Sequence, residues 1–239
     1  MPISKKILTL VVLLILPGAV PAADLQPYEA VYKTRLRGFD VNVKRRLTVQ
    51  DSRVTVSVDA KRFLFRIHES TVLQELDDGR LSSVTYEQRR KGLSRKHDKQ
   101  LVFDRTENSV VDLLEPDRPP LAVGSPIYDK LGYQAQMRLD LMRNPDLKLA
   151  QYAVTNGVRN RTYTFDCVGE EIIDTPLGKL RTLKFERRRD DDERQVAVWV
   201  ASDWDYLLVR IDQTRKPGAK TERLMLKRAK IGDRQVVGL

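Results

Sequence analysis

The chain has one cysteine and two histidines among 239 residues, and aromatic residues make up only 7% of it. Each scarcity excludes something. A lone Cys167 cannot close an intramolecular disulfide, so the fold must be held by its core. In the stretch YTFDCVG the alternation of residue types places Cys167 in a strand, as a small buried hydrophobe. His68 and His97 with one distant cysteine do not form a zinc set, and no cofactor signature is present. Gly-x-Ser-x-Gly, phosphate-loop and Gly-x-Gly-x-x-Gly patterns are all missing. Carboxylates are common, which leaves a glycosidase pair open without identifying one. Trp199, Trp204 and Tyr206 cluster in VWVASDWDYLLVRI and are read as core.

Long apolar runs are also lacking after the first 22 residues. Within those, Lys5 and Lys6 precede an apolar run from Ile7 to Leu16, followed by Val20-Pro21-Ala22. The run is shorter than the ~20 residues that span a bilayer, and the whole reads as a cleavable secretory signal peptide, residues 1–22, with cleavage after Ala22. No cysteine lies near that site to accept a lipid. Removing it takes two lysines and no acid, lowers the formal charge from +10 to +8, and leaves a single β-rich domain over residues 23–239. The expected location is the periplasm.

What is abundant is period-two alternation. In VNVKRRLTVQ, Val41, Val43, Leu47 and Val49 share one face, while Asn42, Lys44, Arg46, Thr48 and Gln50 share the other. Arg45 alone breaks the pattern. This is the signature of a half-buried antiparallel strand. The same reasoning predicts strands at Tyr28 to Leu36, Val54 to Val58, Phe63 to Ile67, Thr71 to Leu76, Ser82 to Arg89 and Lys96 to Phe103. It adds Arg161 to Val168, Leu180 to Phe185, Gln195 to Val200, Leu207 to Gln213 and Glu222 to Lys230. Turn residues such as Asp77-Asp78-Gly79 and Thr175-Pro176-Leu177-Gly178 separate them. Tyr128 to Asn144 departs from this, with Leu131, Ala135, Leu139 and Met142 at helical spacing, after a proline-rich crossover from Leu113 to Pro126. The expected fold is mainly β, a curved or partly open antiparallel barrel or half-barrel with one inserted α-helix. A transmembrane barrel is excluded because Lys44, Arg46, Glu87 and Arg210 occupy faces that would meet lipid.

Two charged stretches bear on partners. FERRRDDDERQ, from Phe185 to Gln195, falls between two strands and reads as a solvated hairpin tip. Its consecutive acids lack the alternate spacing of a calcium loop. Its interleaved charges do not make a nucleic-acid patch, so no nucleic acid is expected. The run Arg89 to Lys99 is basic and suits either a solvated edge that resists aggregation or contact with envelope anions.

Several segments together resemble a bacterial exported family known as domain of unknown function 3108. They are Tyr28-Glu29-Ala30-Val31-Tyr32, Val84-Thr85-Tyr86 with Arg89-Arg90 and Gly92, Tyr128-Asp129-Lys130-Leu131, and Tyr163 to Phe165. The tail matches most closely: Glu170-Glu171, Thr175-Pro176-Leu177-Gly178, Val198-Trp199-Val200, Ser202-Asp203 and Tyr206 to Ile211. The resemblance covers residues 27 to 230 and implies an export signal and a β fold of the lipoprotein-carrier or lipocalin kind. It implies no catalytic residues. Leu208 stands where the family often has proline.

Three functions fit. The first is a binding or carrier module for a hydrophobic, anionic envelope ligand such as a lipid, a glycolipid or an acidic glycan. Phe63, Phe65, Tyr86, Phe103 and Trp199 are its candidate lining, with Arg89 and Arg90 at the rim; the alternative is that all five fill the core. The second is a scaffold that meets an envelope protein partner through a sheet edge. The third, a cell-wall glycan hydrolase, needs a carboxylate pair that the sequence does not reveal.

Overall fold

The computed structural model describes residues 25–36, 38–63, 65–92, 97–188, 194–215 and 218–239. The predicted signal peptide, residues 189–193 of the charged tip, and Arg95 and Lys96 of the basic run lie outside the described residues.

The chain forms two antiparallel meanders that share one sheet. The first comprises β1 (Tyr28–Leu36), β2 (Phe39–Gln50), β3 (Arg53–Arg62), β4 (Phe65–Glu75), β5 (Leu81–Lys91), β6 (Lys99–Asp104), β7 (Ser109–Asp112) and β8 (Leu121–Ala122). Helix α1 (Gly132–Arg143) follows. The second comprises β9 (Leu149–Thr155), β10 (Asn160–Thr175), β11 (Gly178–Arg187), β12 (Gln195–Ala201), β13 (Leu207–Thr214), β14 (Glu222–Ile231) and the short β15 (Arg234–Gln235). Pairing of β1 with β14 joins the meanders, giving the order β8-β7-β6-β5-β4-β3-β2-β1-β14-β13-β12-β11-β10-β9, with β15 on β14. Register shifts at Val31/Tyr32, Val72/Leu73, Cys167/Gly169 and Trp199/Val200 supply the local bends that a curled sheet requires.

The sheet is not closed by a strand ladder. The segment Ile127 to Asp129 bridges the gap: Ser83 N–H donates to the Ile127 carbonyl at 2.9 Å, Tyr128 N–H to Ala153 at 2.9 Å, and Thr155 N–H to Tyr128 at 2.8 Å. The partly open barrel expected from alternation is therefore the fold observed, with one helix inside it.

Strand bounds differ from the predicted ones in instructive places. Phe63 to Ile67 and Thr71 to Leu76 are largely one strand, β4. Its hairpin turns between Arg62 and Phe65, which pair, so Phe63 sits in the turn with φ +43°. The strands β7, β8 and β9 were not predicted.

The helix is a plug, not an amphipathic lid. Of the predicted stripe, Leu131, Ala135 and Leu139 are buried and Met142 is half-buried; the helix also buries Tyr133, Gln136, Met137, Arg138 and Leu141. Asp129 fixes its start. One carboxylate oxygen accepts Leu131 N–H at 2.8 Å and Gly132 N–H at 3.0 Å, and the other accepts the hydroxyls of Thr71 and Ser83. These contacts satisfy amides that a helix start leaves orphaned, while burial pushes the Asp129 carboxyl above the usual range. A side chain at Gly132 would come within 2.9 Å of Leu73 Cδ2, so glycine allows the helix to approach β4. Tyr133 then stacks on Phe165 with ring centroids 5.7 Å apart.

Candidate functional site

The inner face contains an anomaly that originates in β2. Val41, Val43, Arg45 and Leu47 all point inward, so the residue that breaks the hydrophobic alternation places a guanidinium in the core. Arg45 pairs in register with Ala30 and Val58 and is 6% exposed. Its Nη1 donates to Gln134 Oε1 on α1 at 2.6 Å; among the described residues its Nε has no hydrogen-bond partner and no carboxylate pairs with it.

Arg138, 5% exposed, comes from the helix to the same place. Nε donates to the Asp205 carbonyl at 2.8 Å and Nη1 to the Gln26 carbonyl at 3.0 Å. The guanidinium lies 5.1 Å from the Tyr28 ring centroid. Among the described residues its Nη2 has no hydrogen-bond partner. The carboxylate of Asp205 is 4.0 Å away and is held at 2.7 Å by Arg234. Burial pulls the Arg138 pKa down, but a guanidinium keeps its proton at any physiological pH. Two cations therefore share a region whose one nearby carboxylate is engaged elsewhere.

Between them is a cavity of about 30 Å³, walled by Leu47, Met137, Val198, Val200 and Leu208 together with Tyr28 and Tyr206. Gln134, Tyr206, Leu208 and Ile211 are half-buried and form its approach from solvent. Asp205 and Tyr206 are consecutive non-glycine residues with φ +49° and +53°. That conformation costs of order 1–3 kcal/mol per residue, and here it presents the Asp205 carbonyl to Arg138 and the Tyr206 ring to the cavity. Burial pushes Tyr133, also in the lining, up to about 12, so its phenol remains neutral. An isolated buried charge costs several kcal/mol; the neutral acceptors, the Gln134 amide oxygen and the carbonyls of Gln26 and Asp205, offset only part of it. The arrangement can receive an anionic head with an apolar body attached.

None of the seven sequence-predicted residues lines this cavity. Phe63 is 85% exposed in its turn, which corrects its assignment to a strand's inner face. Phe65 is half-buried against the main core. Tyr86 and Phe103 belong to a second apolar cluster with Leu101, Val110, Ile127 and Leu131. Trp199 is buried on the outer face, between Arg210 at 4.2 Å and Lys184 at 5.3 Å, with Nε1–H donating to Glu171 at 2.7 Å. Arg89 and Arg90 do not form a common rim, because adjacent strand residues face opposite ways. Arg89 pairs with Glu87 on the outer face, whereas Arg90 follows the parity of buried Tyr86 and Gln88. Both still border an outer groove of about 400 Å³ with Arg66, His68 and Lys91. Cys167 is half-buried.

The signal that could have located the site was Arg45 itself, a lone charge in phase with three apolar neighbours. Arg138 gave no comparable sign, since arginine is an ordinary helix former.

Comparison with known proteins agrees with the fold. No curated protein matches the chain. A solved structure, the beta-barrel-like protein of domain of unknown function DUF1849 from Brucella abortus, aligns with a TM-score of 0.58 at 12% identity, covering 87% of this chain and 98% of that one. That likeness concerns the fold alone. The model of the family described as protein of unknown function DUF3108 matches residues 27–227, and the chain belongs to that family.

Proposed function

We propose that this DUF3108 protein is a periplasmic binding or carrier protein, not an enzyme, and that its ligand is an amphipathic anion such as a lipid or glycolipid with a carboxylate or phosphate head. The observation that carries the proposal is the pair of guanidinium groups, each more than nine-tenths buried, at an apolar cavity where the nearest carboxylate, Asp205, is 4.0 Å from Arg138 and already bonded to Arg234. Charge-assisted, bidentate contacts of arginine with carboxylate or phosphate are among the strongest polar interactions available.

The cavity as it stands has room for about one water molecule. The head group therefore enters between Arg45 and Arg138, and the hydrocarbon part displaces lining side chains. Met137 and Tyr206 are suited to that: methionine repacks readily, and Tyr206 is on a half-buried turn.

Two carboxylates have pKa values raised by burial, Asp129 and Asp140, but they lie at opposite ends of α1. Asp129 precedes the helix, and the rise from Gly132 to Asp140 alone is roughly 12 Å, beyond the ~5–9.5 Å of a glycosidase pair. Asp140 is further committed to Gln136 and to the Tyr152 hydroxyl.

The test is native mass spectrometry and solvent extraction of residues 23–239 expressed in a bacterial periplasm. A stoichiometric acidic lipid or glycolipid is the expected result. A ligand-free mass that stays unchanged on incubation with acidic lipids would overturn the reading and favour a scaffold that binds a protein partner at a sheet edge.

A further inference from the structure

Two large aromatic rings project into solvent at one end of the sheet. Phe63 is 85% exposed and Phe39 55% exposed. They come from adjacent hairpins, since β1 passes to β2 at Phe39 and β3 to β4 at Phe63, and Arg62 lies between them with its guanidinium 5.2 Å from the Phe39 ring and 5.1 Å from the Phe63 ring. Arg62 also donates to the Asp40 carbonyl, which ties the two turns into one unit.

Phe63 has a φ of +43°. A bulky aromatic in the left-handed region is a costly choice where glycine or asparagine would serve. An exposed phenylalanine alone would mean little. A strained one beside a second exposed ring, both stacked on a cation, requires a use.

The surroundings are basic. Lys33, Arg35, Lys61, Arg62, Arg66 and Lys91 cluster at this end, and the acid among the described residues of these two hairpin turns is Asp40, which pairs with Lys33 at 3.1 Å and Arg35 at 3.6 Å. Lys61, Arg66 and Lys91 are exposed. The register Arg66↔Lys91 places two of these cations side by side, bordering the outer groove of about 400 Å³ that also includes His68, Arg89, Arg90 and one acid, Asp98. Cations outnumber that acid, and the groove has room for a phosphate headgroup beside them.

Exposed aromatic tips ringed by cations match the two layers of an anionic bilayer surface, with rings at the acyl boundary and cations at the phosphates. We propose that this end of the barrel docks the protein onto an anionic phospholipid membrane, with Phe39 and Phe63 inserting and the surrounding lysines and arginines neutralising headgroups. The proposal is independent of the internal cavity, so either can fail without the other.

The experiment is co-sedimentation of residues 23–239 with vesicles of phosphatidylcholine alone or with one-third phosphatidylglycerol. Binding to the anionic vesicles only is expected, weakening as salt rises from low to physiological, because the Debye length shrinks toward ~8 Å. The double substitution Phe39→Ser and Phe63→Ser is expected to lower partitioning at least tenfold while leaving the circular dichroism spectrum unchanged, as both rings are solvent-exposed. In Phe63→Trp, the emission in excess of wild type should shift to the blue on addition of anionic vesicles. Absence of binding to anionic vesicles at low salt overturns the proposal. So does binding that survives loss of both rings, which would mark a charge-only surface for a soluble polyanion or acidic protein.

Discussion

Cations are treated in opposite ways inside and outside this sheet. On the outer face, Lys184, Trp199 and Arg210 are direct cross-strand neighbours. Glu171 accepts from Trp199 and pairs with Lys184 at 3.5 Å, and Asp212 is gripped by both Arg210 and Arg223. Two arginines there hold the Asp212 carboxyl down at about 2. On the inner face, Arg45 and Arg138 are far more deeply buried and far less well compensated. Charge matched mainly by neutral acceptors is thus placed where desolvation makes it most expensive. That cost is the ground on which an anionic ligand is proposed for the site.

The sharpest way to break the comparison is to remove each kind of cation. Arg138→Ala should show the largest stability effect, a loss of about 3 kcal/mol in denaturant unfolding, because it orphans the carbonyls of Gln26 and Asp205 and opens a cavity. Arg45→Met should have the opposite sign, a gain of about 1–2 kcal/mol, since a neutral side chain of similar length replaces a charge whose partners, Gln134 and Tyr28, are neutral. A destabilised Arg45→Met would mean that the inner charge is already compensated.

Asp212→Asn should cost about 1–2 kcal/mol after allowance for solvent screening, and the same contribution should vanish on acidification. The carboxyl is depressed in the folded state from 3.8 to about 2, so its stabilisation is complete above about pH 4 and is lost as pH falls through about 2. Unfolding midpoints measured between pH 5 and 2 would show this slope in wild type and a shallower one in Asp212→Asn. The smallest effect belongs to Trp199→Phe, about 1 kcal/mol, from loss of the hydrogen bond to Glu171 and a weaker ring face for Arg210 and Lys184.

The same contrast explains what could be read from the sequence. Strands whose residues alternate strongly, such as β2 with Val41, Val43 and Leu47, are visible because burial on one face dictates residue type. β9 escaped notice even though Ala150, Tyr152 and Val154 are its buried face, because alanine carries little strand preference. β8 has two residues, too few for any period. Phe63 reads as a strand residue in the sequence because a phenylalanine in a hairpin turn imitates one. The barrel and its inserted helix were legible, since they follow from many weak repeats. The cavity was not, because it joins one odd residue of β2 to one ordinary residue of α1, and only packing brings them together.

The most direct test of the central claim is a calorimetric titration of oleate into residues 23–239 and into its Arg45→Met variant. The account predicts one-to-one binding by the wild type and a loss of on the order of a hundredfold or more in the folded variant. Equal affinity in the two proteins, or no heat of binding in the wild type, would contradict it.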